Sequence, residues 1–129
     1  MKKVLIVIGL CLSLFATDFE WAPNLERAKT QAKKEHKLVF LMLSQTTCRI
    51  CQFMKNKTFE DEKLSNFITL HFVPVKIEID EEGIPQGFKV IGTPTFYILD
   101  ASGRKIGRPI VGGAKAPAFL KKLEEYIKR

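Results

Sequence analysis

Residues 38–51 have the sequence LVFLMLSQTTCRIC, in which six apolar residues lead through a polar turn to two cysteines. An uninterrupted apolar run of this length is too short for a buried helix and is typical of a strand covered on both faces, as in a parallel sheet. The turn, residues 44–47, is followed by a predicted helix from Cys48 to about Lys57. Three side chains of this helix are expected to pack inward: Ile50, Phe53 and Met54.

The sequence on both sides of this segment alternates helical and strand patterns. Apolar residues recur at helical spacing between Leu25 and Lys37, which predicts a first helix. Thr58 and Asp61 resemble a capping arrangement at the start of a further helix. Residues 73–80 alternate apolar and charged side chains, which is the two-residue period of a strand. This order of elements favours a sheet that contains parallel strands.

The C-terminal part of the sequence predicts a hairpin and a last helix. Residues 95–99 and 105–111 have strand character, and turn signals at Asp100 and Gly103 join them. A glycine pair ends the second of these strands, and Pro117 suits the first turn of a helix. The whole pattern predicts one α/β domain with a central mixed β-sheet flanked by helices.

The two cysteines at the start of the predicted helix are the candidate catalytic residues. Residues three apart on a helix lie on one face with Cα atoms about 5 Å apart, which is within the range of a disulfide. Unpaired N–H groups at a helix start stabilise a thiolate. Cys48 is therefore the candidate nucleophile, and the neighbouring Arg49 is expected to lower its pKa. Cys51 lies further into the helix and suits the resolving thiol, which attacks a mixed disulfide.

Two other uses of the Cys48–Cys51 pair remain open at this point: a structural disulfide without redox activity, and half of a metal site. A bond that closes so short a loop constrains the unfolded chain little. A structural zinc site usually has four Cys or His ligands, whereas the chain beyond residue 16 offers only these cysteines with His36 and His71. The sequence therefore favours redox exchange, with no metal and no cofactor besides the redox-active disulfide, and neither histidine is assigned a role.

The N-terminal sequence predicts export. Two lysines precede an apolar run, residues 4–15, that ends near Ala16, as in a secretory signal peptide. We predict a signal peptide at residues 1–16 and one folded domain at residues 17–129, in a periplasmic or secreted location. A permanent membrane anchor is one alternative, although the run is shorter than the roughly 20 residues that span a bilayer. Lipid attachment at Cys11 is another.

The charge of the chain is moderately basic. It has 21 basic and 14 acidic residues, for a formal charge of +7. Without residues 1–16, which contain two of the lysines, 19 basic residues remain against 14 acidic ones, and the charge is +5. No stripe of interleaved basic and aromatic residues indicates a nucleic-acid surface. Since export places cysteines where disulfides persist, the expected partners are cysteine-containing exported proteins, with no nucleic acid and no stable metal.

Further motifs resemble the thioredoxin superfamily over nearly the whole predicted domain. They are Gly92-Thr-Pro-Thr-Phe96, the turn from Asp100 to Gly103 and the pair Gly112-Gly113. Trp21, and Lys37 before the first strand, are most similar to exported members related to the reductase domain of thiol:disulfide interchange proteins. The resemblance implies the thioredoxin fold.

The resemblance also implies substrate-binding residues. In that family the proline that matches Pro94 is cis and faces the cysteines, so Thr93 and Pro94 are expected to bind substrate. The backbone of Thr93 would pair with an extended segment of the partner. A trans proline that begins a strand is the alternative. The resemblance adds a membrane thiol-disulfide electron donor as a further candidate partner.

The sequence departs from thioredoxin itself at three places around the cysteines. Thioredoxin usually has Trp before the first cysteine, Gly-Pro between the two, and a buried Asp six residues before the first. Here those places hold Thr47, Arg49-Ile50 and Met42. Without a carboxylate at position 42, another group must accept the proton of the resolving thiol, and Glu78 is a candidate.

The function predicted from these residues is thiol-disulfide exchange with exported proteins. The reductase or isomerase direction is slightly preferred over the oxidase direction, although direction depends on relative potentials. The alternative is a thioredoxin-fold binding module, such as a chaperone or a cytochrome assembly factor, whose cysteines form only a docking bond. Metal carriage resembles exported copper proteins of the same fold, but those have three residues between the cysteines and this chain has two.

Overall fold

A computed structural model of the chain describes residues 19–128. Its elements, in chain order, are α1 (Leu25–Glu35), β1 (Leu38–Ser44), α2 (Arg49–Asn56), a 3-10 turn (Thr58–Glu60), α3 (Glu62–His71), β2 (Phe72–Glu78), α4 (Ile79–Glu82), β3 (Thr95–Leu99), β4 (Lys105–Val111) and α5 (Ala116–Ile127). The predicted signal peptide and Cys11 lie outside the described residues. Within residues 19–128, no helix has the length and apolar character needed to cross a membrane.

The four strands form one mixed sheet in the order β2-β1-β3-β4. β1 is parallel to β2 and antiparallel to β3, and β4 completes an antiparallel hairpin with β3. The apolar strand β1 is therefore central, and every residue from Val39 to Ser44 is buried. The predicted mixed sheet flanked by helices is confirmed, and both strands of the hairpin have the predicted bounds.

Alternation along the strands divides the core into two layers. One face of β1 and β2, which includes Val39, Leu41 and Val75, packs with Ala28 and Ala32 of α1. The opposite face is rich in aromatic residues and packs with α2, α3 and α5. The members of this aromatic layer that are buried include Phe40, Met42, Cys51, Met54, Phe59, Phe72, Phe96 and Phe119. The second cysteine is thus part of the core.

Both edge strands of the sheet depart from a regular row of unpaired backbone groups. At the outer edge of β2, the backbone N–H of Ala22 donates a hydrogen bond of 2.8 Å to the carbonyl of Pro74. The other edge strand, β4, contains Pro109 and a register shift opposite Phe96 and Ile98. Neither edge is therefore a regular row of free backbone groups.

Two predicted boundaries are wrong. The strand predicted to continue to Asp80 ends at Glu78, because Glu78 pairs with Ser44, the last residue of β1, and the chain beyond has no strand to pair with. Thr58 does not cap a helix. Asp61 caps α3 by accepting a hydrogen bond of 2.9 Å from the N–H of Leu64, while the Thr58 hydroxyl donates to the carbonyl of Ala114 at 2.7 Å.

Candidate redox site

The two cysteines are joined by a disulfide at the start of α2. Cys48 is the N-cap residue, with extended backbone dihedrals, and its Sγ accepts a hydrogen bond of 3.1 Å from the N–H of Cys51. The Cα atoms are 5.2 Å apart, as the helical spacing predicts. The first turn of the helix therefore holds both sulfur atoms within bonding range.

The two sulfur positions differ in access to solvent. Cys48 is half-buried, whereas Cys51 is fully buried beside Met54 in the aromatic layer. The prediction that Ile50 and Phe53 pack inward is wrong, since these side chains are 51% and 42% exposed. The inward positions of α2 are Cys51 and Met54, three residues apart. Ile50 and Phe53 each precede one of them, and successive residues of a helix are rotated by about 100°, so these two side chains point outward. This difference in exposure suits a first attack by Cys48 and a later one by Cys51.

The loop before β3 lies directly against Cys48. The Thr93–Pro94 peptide bond is cis, as the resemblance implies. The Cys48 Sγ lies 3.5 Å from the carbonyl oxygen of Thr93. On the other side of the loop, the N–H of Gly112 donates a hydrogen bond of 2.8 Å to the Pro94 carbonyl, with a φ of 89° at Gly112. The structure therefore brings together the predicted residues Cys48, Thr93 and Pro94.

The glycine pair after β4 allows close contact with α2. A Cβ atom at Gly113 would lie 2.5 Å from Cγ2 of Ile50 and 3.3 Å from Sδ of Met54. The next residue, Ala114, donates its N–H to Met54 Sδ at 3.4 Å. A side chain at position 113 would therefore push α2 away from the loop.

Exposed apolar side chains lie on the segments next to Cys48 and the cis-proline loop. Ile50 follows the first cysteine by two residues, and Ile91, which precedes the cis-proline loop, is 80% exposed. Val111 is 44% exposed, and its Cγ1 lies 3.7 Å from the position of a Cβ atom on Gly92. Ile50, Ile91 and Val111 form what we name the apolar rim of the site.

The turn before Cys48 is held by a contact that sequence reasoning missed. The carboxylate of Asp80 accepts hydrogen bonds from both the N–H and the hydroxyl of Thr46, the former at 3.1 Å. The Thr46 hydroxyl contributes most to a lowered pKa of Asp80. The carbonyl of Thr46 in turn accepts from the side-chain amide of Gln52 at 3.5 Å. No sequence signal links Thr46 with a residue 34 positions away.

The other predicted residues occupy different places. Arg49 is exposed in the first turn of α2, next to Cys48. His36 follows α1 and His71 ends α3, so both precede the strands β1 and β2 and lie at the sheet end opposite the cysteines. Among the residues that the structure describes, no group of three or more Cys, His, Asp or Glu side chains is placed to hold a metal.

A half-buried cysteine at a helix start, disulfide-bonded to a buried one and facing a cis-proline, defines the class of thioredoxin-fold proteins with a C-x-x-C redox centre. The model of the thioredoxin-like domain family matches residues 25–127. The chain therefore belongs to the thioredoxin-like family.

Relatives and solved structures agree with this assignment. The chain is 24% identical over 117 residues to the thiol:disulfide interchange protein DsbD of Campylobacter jejuni, covering 87% of this chain and 20% of DsbD. It is 32% identical over 62 residues to human spermatogenesis-associated protein 20, covering 48% of this chain and 8% of that protein. The chain thus corresponds to a small part of each relative. A thioredoxin from Thermus thermophilus superposes with a TM-score of 0.71 at 24% identity, covering 85% of this chain and 88% of the thioredoxin, which shows the shared fold.

Proposed function

We propose that this protein is a thiol-disulfide oxidoreductase that exchanges disulfides with exported proteins, with Cys48 as nucleophile and Cys51 as resolving thiol. The observation that carries the proposal is the pairing of a half-buried sulfur, 3.5 Å from the Thr93 carbonyl, with a fully buried one. The thioredoxin-like family assignment and the likeness to part of DsbD support the same chemistry. The proposed location is periplasmic or secreted, with the signal peptide at residues 1–16.

In the reducing direction, the Cys48 thiolate attacks one sulfur of a substrate disulfide. A Cys48–substrate bond forms, and the other substrate sulfur leaves as a thiolate. Cys51 then loses its proton and attacks the Cys48 sulfur, which forms the Cys48–Cys51 disulfide and releases the second substrate thiolate. Two electrons pass from the protein to the substrate, and the oxidising direction reverses these steps.

The surroundings of the sulfur suit an extended polypeptide as substrate. The apolar rim offers three exposed side chains on the segments next to Cys48 and the cis-proline loop, and exposed apolar groups of this kind mark sites of protein interaction. The backbone of Thr93 is the proposed pairing partner of the segment that carries the substrate disulfide, with Pro94 shaping that loop. We propose cysteine-containing exported proteins as substrates and a membrane thiol-disulfide protein as electron donor.

The test of this function is turnover. The protein is incubated with a scrambled, disulfide-bonded secreted protein and with a reduced one, at sub-stoichiometric concentration, in glutathione buffers. We expect many cycles per molecule and a reduction potential more negative than about −180 mV, which favours reduction or isomerisation over oxidation. A single stoichiometric bond with no further cycles would instead identify a binding module.

Cys48 is expected to titrate below the ordinary cysteine pKa once the disulfide is reduced. Its sulfur accepts a hydrogen bond from the N–H of Cys51, and the unpaired N–H groups at the start of α2 stabilise a thiolate there. The rate of iodoacetamide alkylation, measured against pH, should have a midpoint well below about 8.5. The exposed Arg49 adds a cation, so Arg49→Glu should raise the midpoint. A wild-type midpoint at or above that of free cysteine would contradict the activated thiolate.

A further inference from the structure

The burial of Cys51 raises the question of where its proton goes. Before Cys51 can attack a mixed disulfide, its thiol must become a thiolate, yet the side chain is fully buried. Met42 and Met54, which are also fully buried, belong to the same apolar layer. An acceptor close to this layer would therefore determine how fast the resolving step proceeds at neutral pH.

Glu78 is a carboxylate on the same side of the sheet. The alternation of β1 and β2 places Phe40, Met42 and Phe72 toward Cys51, and it turns Ser44, Lys76 and Glu78 the same way. Of the side chains that β1 and β2 direct toward this layer, only Lys76 and Glu78 are ionisable. Glu78 is thus the one carboxylate that these two strands present on the face covered by α2.

The side chain of Glu78 is largely buried, and only one of its two carboxylate oxygens has charged partners. Its side chain is 14% exposed, and Oε1 lies 3.0 Å from Nζ of Lys55 and 3.7 Å from Nζ of Lys76. The second oxygen, Oε2, is buried and has no hydrogen-bond partner within the described part of the chain. Such an atom is unusual, because buried carboxylate oxygens are normally hydrogen-bonded.

The ion pair with Lys55 joins Glu78 to the last turn of α2, the helix that carries Cys51. Lys55 is four residues after Cys51, so the two project from the same side of the helix, one turn apart. Ser44 is the register partner of Glu78, and its hydroxyl is also buried without a partner among residues 19–128. Two unsatisfied polar atoms at neighbouring strand ends make a polar site beneath the helix that carries Cys51.

We propose that Glu78 accepts the proton of Cys51 when this thiol resolves a mixed disulfide, an inference that rests on the proposed exchange function and adds its proton acceptor. The S–H bond of Cys51 breaks, and its proton passes to the free carboxylate oxygen. The Cys48–Cys51 bond forms as the Cys48–substrate bond breaks, and the electron pair of that bond leaves on the substrate thiolate. In the oxidising direction, Glu78 returns the proton to Cys51.

Charged groups from α2, β2 and α4 lie around Glu78. Lys55 from α2 and Lys76 from β2 are the cations that face it. The carboxylate of Glu82 in α4 accepts a hydrogen bond of 3.4 Å from the backbone N–H of Glu78. The carboxylate of Asp80 accepts a hydrogen bond from the N–H of Thr46.

The two attacks can be timed separately with dithiobis(nitrobenzoate), an aromatic disulfide whose thiolate product absorbs visible light. Reduced protein releases one thiolate when Cys48 attacks and a second when Cys51 resolves, and only the first phase depends on reagent concentration. For Glu78→Gln we expect an unchanged first phase and a second phase slower by about tenfold or more at pH 7. The difference should narrow as the pH rises, because a higher pH favours ionisation of the Cys51 thiol without an acceptor. The matched control is Glu81→Gln, which alters an exposed acid of α4.

The outcomes separate the two proposals. If wild-type protein shows no first phase, the proposed exchange function fails. If the first phase is present and the second has the wild-type rate and pH profile in Glu78→Gln, Glu78 is not the acceptor. Equal slowing at every pH would indicate a structural effect and would also overturn the inference. Should Glu78→Gln not fold, Glu78→Asp must slow the second phase alone while retaining the shape of its pH profile.

Discussion

Cys51→Ala is expected to accumulate stable mixed disulfides with exported proteins, whereas Cys48→Ala accumulates none. Cys48 is half-buried beside Thr93 and remains able to attack in the first variant, but the buried thiol that would release the partner is absent. In the second variant, the remaining sulfur is fully buried and cannot reach a protein disulfide. Turnover should be lost in both variants, so only trapping distinguishes the two roles.

The measurement is a non-reducing gel of exported extracts from cells that produce each variant at equal level. Adducts that disappear on reduction should be abundant for Cys51→Ala and absent for Cys48→Ala and for the double variant. The trapped proteins then identify the substrates. Equal trapping by the two single variants would contradict the assigned order of attack.

Phe40→Ala is expected to destabilise the oxidised protein by about 3–5 kcal/mol, the range for removing a large side chain from a core. Phe40 is fully buried in the central strand, and its ring centroid lies 5.4 Å from that of Phe96 and 6.0 Å from that of Phe119. The neighbouring rings belong to four different elements, so they cannot all move together to fill the space. Loss of this ring also removes the aromatic packing that supports the layer around Cys51.

The matched control is Phe53→Ala, the same substitution on an outward position of α2. Phe53 is 42% exposed, and we expect a change of less than about 1 kcal/mol. Urea unfolding followed by the fluorescence of Trp21 measures both variants, because Trp21 packs against Phe59 at 5.9 Å between ring centroids. The disulfide must stay oxidised throughout. Similar losses for the two variants would show that the aromatic layer is not the main source of stability.

Sequence patterns were sufficient where local chemistry determines the structure. The apolar run of β1 and the two strands of the hairpin were predicted because burial on both faces and turn residues leave few alternatives. The cysteine spacing was equally informative, since helical geometry alone brings the Cα atoms of Cys48 and Cys51 into bonding range.

Features that depend on neighbouring elements could not be predicted. Ile50 and Phe53 face outward because the phase of α2 is set by the burial of Cys51 and Met54, and apolar character at adjacent positions does not reveal that phase. The strand pattern beyond Glu78 is overridden because β1 ends opposite it. The contact of Asp80 with Thr46 likewise depends on the tertiary arrangement.

If the protein acts on extended segments of other proteins, as proposed, the edges of its own sheet must not pair with those segments. A partly unfolded partner presents extended segments that can add to any open edge strand. On β2, the carbonyl of Pro74 is already bonded to Ala22 and faces outward, so the missing N–H of this proline lies on the same outer side. On β4, Pro109 lacks an N–H donor, and Lys105 and Arg108 place charge along the strand. Strand addition is therefore disfavoured at both edges of the sheet, and an extended partner that docks at the loop beside Cys48, as proposed, would be released when Cys51 displaces it from the mixed disulfide.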